Sequence, residues 1–261
     1  MKNKPFADLL AHRELLMAWT MRTIKARYQQ SILGGLWAII QPAAAAVIFS
    51  IIFTQFVRVN TGTIPYIVFS YTALVPWTLF NGSITDMVDS LVVNMNLVSK
   101  IYFPREILPV AALMARLLDF AIAGAILIFL IVFFQIPIFP LGWLFIPIIL
   151  AIQLALTLGL GFIGAAFNVF YRDVKHLFIL GLQIWLYASP IIYPIETVPE
   201  RFRSLYFLNP MAGIIESYRA VLLYQQIPGP YILISATVAL IILFAGYWGF
   251  KKVEFQFADV I

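Results

Sequence analysis

The sequence predicts an all-α polytopic membrane protein, and three observations predict it. Hydrophobic residues make up 62% of the chain and charged residues 11%, whereas a soluble domain carries roughly half apolar and about a quarter charged. The mean hydropathy is +0.94. Long apolar stretches also recur between short polar ones, most of them near the roughly 20 residues that a helix needs to cross the bilayer core. The 261 residues leave little room for a separate globular unit. A single membrane domain is expected, with 1–33 as a cytoplasmic interface helix, 34–250 as a six-span region and 251–261 as a cytoplasmic tail.

Each span follows from its apolar run. The first is expected over 34–57 and the second over 65–82, where Pro76 interrupts it. The third and fourth, 107–134 and 141–170, are joined by the turn-forming QIPIFP. A fifth is expected over 177–193 and a sixth over 231–250. Six crossings return the chain to its starting side, and the distribution of basic residues tests that, because lysine and arginine in short loops favour the cytoplasm. Of the 17 basic residues, twelve fall inside; Arg58, Arg201, Arg203 and Arg219 fall outside, and Arg116 lies in the third span. Both termini are therefore expected in the cytoplasm. The first thirty residues lack the unbroken apolar core of a cleaved signal peptide. The pI near 9.4 follows from this topology and calls for anionic membrane lipid, not nucleic acid.

Three segments do something other than span. Over 6–28, Phe6, Leu9, Leu10, Leu16, Met17, Thr20 and Ile24 share one helical face, which suits an interface helix. A membrane anchor and a docking surface for a cytoplasmic partner both fit it. Over 85–106 a polar elbow separates the second and third spans, with Asp86, Asp89, Asn94, Asn96, Lys100, Arg105 and Glu106. Arg116 and Asp119, three apart on the third span, are expected to pair. The stretch 196–226 is too polar to span and suits short re-entrant helices broken at Asn209 and Pro210, with Glu216 and Arg219 in the second piece.

Several chemistries are excluded. The chain has no cysteine and two histidines, His12 and His176, far apart, so a metal site is not expected. There is no GxxxxGK[ST] phosphate cradle, so energy from ATP must come through another chain. A membrane-embedded enzyme would need clustered carboxylates or histidines. The nearest pair, Asp86 and Asp89, has no evident partner in the sequence. An ion-coupled carrier would need mid-span charges and repeated halves, and neither is seen. No catalytic residue and no cofactor is expected.

Four pieces carry a resemblance: RYQQSILGGLWAIIQP (27–42), NLVSKIYFPREILP (96–109), FNVFYRDV (167–174) and NPMAGIIESYRAVLL (209–223). In this order they resemble the permease subunits of type-2 ABC exporters that move lipid-linked polysaccharides such as O-antigen, capsule or teichoic acid. The resemblance implies a homodimer of six-span subunits in the cytoplasmic membrane, served by two separate nucleotide-binding subunits. It also implies ATPase contacts at Arg22, Lys25, Arg27 and Tyr28 and at Asn96, Lys100, Tyr102 and Arg105. The cargo it implies is an undecaprenyl-diphosphate-linked glycan, moving along a channel lined by aromatic rings, with Trp37, Phe53, Tyr66, Tyr71, Trp77 and Phe80 as candidates. An interfacial aromatic belt accounts for the same rings. A drug or small-lipid exporter of the same type is the alternative cargo class.

Overall fold

A computed structural model describes residues 11–29, 33, 36–56, 61–101 and 103–257. Every regular element among them is helical. In chain order the main helices are α1 (Arg13–Tyr28), α2 (Trp37–Ile51, continued in π form over Ile52–Phe56), α3 (Tyr66–Val93) and α4 (Ile107–Phe133). There follow α5 (Ile146–Phe170), α6 (Val174–Tyr187), the short α7 (Glu200–Tyr206), α8 (Pro210–Leu222) and α9 (Tyr231–Val253). Five helical stretches, those of α2, α3, α4, α5 and α9, are long and apolar enough to cross a membrane, and α6 is a shorter apolar helix.

The bundle is built around α3. In its most apolar stretch 78% of residues are buried, against 11% for α2 and 17% for α4. It packs against α2, α4, α5, α6 and α8, so its aromatic and aliphatic side chains fill the core while the outer helices turn leucine, isoleucine and phenylalanine outward. An apolar exterior around a packed core suits a chain solvated by lipid. The most extensive packing joins α5 to α9, and it depends on glycine. A Cβ on Gly246 would overlap the Gly159 carbonyl, and one on Gly159 would come within 2.6 Å of the Ile242 backbone. Small residues let helix backbones approach where apolar burial alone provides no drive between helices in lipid.

Two boundaries differ from the sequence reading. The second span does not end near residue 82. α3 runs on to Val93, so Thr85, Asp86 and Asp89 belong to a helix and the elbow contracts to 94–106. The cause is charge pairing: Asp86 meets Arg27 and Arg116, and Asp89 meets Lys175. The fifth expected span is also shorter than the bundle. α6 has 14 residues, about 21 Å at 1.5 Å per residue. Yet Lys175, at its start, pairs with Asp89, and the Ile192 carbonyl just beyond its end accepts from the Tyr66 hydroxyl at 2.5 Å. Tyr66 and Asp89 lie near opposite ends of α3, about 35 Å apart along its axis. Residues 188–192 therefore complete the traverse as non-helical chain.

Such chain needs replacement hydrogen-bond donors wherever water is absent, and side chains supply them. The Asn209 amide donates to the Ala188 carbonyl at 3.0 Å. Arg219 donates to the carbonyls of Pro190 at 2.5 Å and Ile191 at 3.0 Å. Asn209 also caps α8, accepting from the Met211 N–H at 3.0 Å, with Pro210 as the first helical residue. The expected break at Asn209 and Pro210, with short helices to either side, is what the chain forms.

At the N-terminus, Phe6, Leu9 and Leu10 lie outside the described residues. α1 packs along α4. Thr20 is buried, Leu16 and Ile24 are half-buried, and Met17 faces outward.

Candidate functional site

The polar residues at the elbow end of the bundle form a lattice joining three helices. Arg27, near the C-terminus of α1, reaches Asp119 of α4 at 2.8 Å and Asp86 of α3 at 2.5 Å. Arg116 of α4 donates to both carboxylate oxygens of Asp86 along one edge of its guanidinium, from Nε at 2.6 Å and from Nη2 at 3.0 Å. Bidentate charge-assisted bonds of this kind fix geometry as well as adding energy. The expected Arg116–Asp119 pair is present at 3.4 Å but is the longest contact of the set. Tyr28 donates its hydroxyl to Asp119. Burial first, and that carboxylate second, push the Tyr28 phenol up to about 12. Two arginines and two aspartates leave the lattice without net charge. Gly82 makes room for it, since a Cβ there would come within 3.0 Å of the Arg116 guanidinium.

A cavity of about 440 Å³ opens beside this lattice, between α1, α2, α3 and α4. Trp37, Gln41, Thr78, Asn81 and Thr85 line it together with Arg27, Tyr28, Arg116 and Asp119. A second cleft, of about 430 Å³, lies between α1 and the end of α3. It brings Arg22 and Arg27 beside Asp86, Asp89 and Asn94, so α1 and the start of the elbow, distant in sequence, share one surface.

Behind the elbow the C-terminal end of the chain forms a clamp. Glu106 is fully buried and pairs with Lys251, which also reaches Glu254 at 3.2 Å. Phe257, wholly buried, packs among Leu91, Val98, Phe103, Phe162 and Phe250, and the Arg105 guanidinium lies 6.0 Å from its ring. On the other side of the elbow, Arg172 of the YRDV turn approaches the sulfur of Met95 at 3.5 Å.

Of the eight positions expected to meet an ATPase, Arg22, Lys25, Asn96 and Lys100 are exposed, and Arg27, Tyr28 and Arg105 are half-buried. Tyr102 lies outside the described residues. Of the six aromatic candidates, Tyr66, Tyr71, Trp77 and Phe80 sit in the core of the chain, because α3 is enclosed on most sides. Phe80 meets Trp185 edge-on at 5.4 Å, and Tyr66 stacks on Phe53 at 5.8 Å. Trp37 is 48% exposed and Phe53 half-buried. In the outer group, Asn209 accepts from the Trp185 indole at 2.8 Å. Arg219 is wholly buried, pairs with Glu216 at 2.8 Å and lies 3.6 Å above the Phe69 ring.

Sequence reading left Asp86 and Asp89, the nearest thing to a carboxylate pair for an enzyme, unpartnered; both have cationic partners. It also missed the cation that clamps Glu106, and it missed Gln41 and Asn81. One signal was available. Ionisable residues in or beside an apolar run are costly unless paired; Arg27 and Asp86 flank such runs, and Arg116 and Asp119 lie within one.

Fold and charge placement together define a multi-pass α-helical membrane protein with a charge lattice gathered where α1, α3 and α4 meet. The chain belongs to the ABC-2 type transporter family, whose model matches residues 14–223. It is similar to the O-antigen export system permease protein RfbA of Klebsiella pneumoniae, 33% identical over 250 residues, covering 95% of each chain. Its likeness to the protein of that name from Myxococcus xanthus is 31% over 258 residues, covering 97% of this chain and 98% of the other. With the polysialic acid transport protein KpsM of Escherichia coli it shares 26% identity over 231 residues, covering 87% and 88%. The chain is thus a permease subunit and not an enzyme, and family membership pairs it with an ABC ATPase subunit.

Proposed function

We propose that this chain is the membrane subunit of an ATP-driven exporter that carries lipid-linked polysaccharide, O-antigen-like in kind, out across the cytoplasmic membrane. The observation that carries the reading is the near full-length likeness to permeases named for O-antigen export. Two copies of the chain form the pathway, both termini are cytoplasmic, and the cargo is an undecaprenyl-diphosphate-linked glycan. Two separate ATPase subunits dock on α1, at Arg22, Lys25, Arg27 and Tyr28, and on the elbow, at Asn96, Lys100, Tyr102 and Arg105; the cleft that Arg22 and Arg27 share with Asn94 supports this reading. Nucleotide-driven closure of the ATPases presses on this surface, and the paired charges at Asp86 and Asp89 pass the load to α3. The glycan slides past Trp37 and Phe53, with Tyr66, Tyr71, Trp77 and Phe80 forming the wall behind them. Asn209, Pro210, Glu216 and Arg219 frame the outer mouth.

Inverted membrane vesicles test it. The chain with its ATPase is expected to hydrolyse ATP and move lipid-linked glycan into the lumen, and the chain alone to do neither. Transport driven by an ion gradient without any ATPase would overturn the reading. Uptake of a small lipid or drug in place of glycan would turn it to the other cargo class of the family.

A further inference from the structure

The cavity beside the charge lattice has a chemistry of its own. Its cations are already spent, for Arg27 and Arg116 are each held by Asp86 and Asp119. A phosphate entering there would have to displace Asp86 or Asp119 from these arginines, leaving a partly buried carboxylate unpaired beside a second anion. Its neutral groups are unspent. Among the described residues neither the Gln41 nor the Asn81 side-chain amide is engaged in a hydrogen bond, and the Trp37 indole N–H is likewise unengaged. Pro42, also on the lining, lacks the N–H that would have bonded the Ala38 carbonyl, which leaves that acceptor without its helical donor.

An exposed indole, two primary amides that both donate and accept, and a backbone carbonyl that lacks its helical donor make a set suited to a pyranose. The hydroxyls pair with the amides, and the ring's C–H face lies on the indole. At about 440 Å³ the space falls within the roughly 300–1,000 Å³ of small-molecule pockets. We infer that this cavity is a carbohydrate subsite, taking an uncharged sugar ring at the reducing end of the cargo, while the diphosphate stays outside it. The inference rests on the lipid-linked glycan reading above and adds the place where that reading meets the first sugar.

The test is equilibrium binding to the full chain in lipid nanodiscs. Three probes are compared: undecaprenyl diphosphate, and the same lipid bearing a single glucose or a single N-acetylglucosamine. A sugar-bearing lipid is expected to bind at least tenfold more tightly than the bare one. Trp37→Ala, and separately Gln41→Ala at an exposed position that does not threaten folding, are expected to remove most of that preference while leaving the bare lipid's affinity unchanged. Equal affinity for all three probes, or a loss of the same size for bare and sugar-bearing lipid in the variants, overturns the subsite and leaves the export reading standing. Failure of all three to bind overturns both.

Discussion

Arg219 donates to the carbonyl of Pro190 at 2.5 Å from a position with no solvent exposure. Its second terminal nitrogen takes the Ile191 carbonyl, Glu216 balances its charge, and the Phe69 ring lies beneath it. One side chain thereby supplies what a continuing α6 could not: Pro194 has no N–H to offer the Pro190 carbonyl, and the Ile191 carbonyl loses the Ile195 N–H once the helix ends at Tyr187. It does so from α8, some thirty residues further along the chain.

Replacing Arg219 with Met should therefore cost more than a typical core substitution. It leaves two buried carbonyls without donors and Glu216 without its counter-charge, and breaking a buried pair costs about 3–5 kcal/mol. Arg219→Lys should recover part of this, since one ammonium keeps the charge but cannot span both carbonyls and Glu216 in the planar geometry. Thermal unfolding in detergent measures it; a melting temperature equal to wild type for the Met variant contradicts the capping role.

The glycine contact between α5 and α9 gives a second test. Gly246→Ala places a methyl against the Gly159 carbonyl, and Gly159→Ala presses on the Ile242 backbone, so each should destabilise by about 1–3 kcal/mol as overpacking does. Gly124→Ala on α4 has nothing within 4 Å and should be neutral or slightly stabilising, because alanine loses less backbone entropy in a helix. Equal effects at all three positions would refute close packing as the cause.

The clamp behind the elbow predicts charge-specific behaviour. Lys251→Met should lower stability by a few kcal/mol, because it leaves the buried Glu106 and the partly buried Glu254 uncompensated, and Glu106→Gln should cost less, because Glu254 still pairs with Lys251 at 3.2 Å. The exchange Glu106→Lys with Lys251→Glu should regain a good part of the loss. Thermal unfolding of the two singles and the double decides it. A double exchange no better than the worse single mutant would mean that packing, not the ion pair, holds the C-terminal end in place.

The seating of α1 can be checked directly, because the natural chain has no cysteine. Thr20 of α1 meets Met114 of α4 at 3.8 Å, so Thr20→Cys with Met114→Cys should cross-link on mild oxidation in native membranes. A pairing of Met17→Cys with Met114→Cys should not, since Met17 faces outward. The readout is gel mobility without reductant. Absence of the first cross-link, or its appearance with the second pair, would show that α1 does not lie on α4 as described.

In the charge lattice, Arg116→Ala should destabilise more than Arg27→Ala. Either arginine left alone still reaches both aspartates, but Arg116 holds Asp86 bidentately, whereas Arg27 gives each aspartate a single bond. With side chains about a quarter exposed, solvent screening keeps the difference to roughly 1 kcal/mol. Comparison of unfolding midpoints checks the order, and a reversed order would assign the main anchoring role to α1.

The sequence by itself determined the all-α membrane class and placed the apolar runs that become α2, α4, α5 and α9 to within a few residues. Apolar run length is a one-dimensional property, fixed by the thickness a span must cross, and Asn209 followed by Pro210 carries its local capping chemistry with it. What only the tertiary structure decided were the places where a residue's effect depends on a partner far along the chain. Asp86 and Asp89 look like loop residues until Arg27, Arg116 and Lys175 neutralise them, after which α3 continues through them to Val93. The end of α6 looked like span until Arg219, Asn209 and Tyr66 supplied the donors that let it unwind at 188–192. The cavity beside Trp37 has no sequence signature at all, because Gln41 and Asn81 lie on different helices and converge only when α2 packs on α3. The physical reason is common to all three: hydropathy adds up along the chain, whereas the cost of a charge or of an unpaired backbone group is set by what the fold brings beside it.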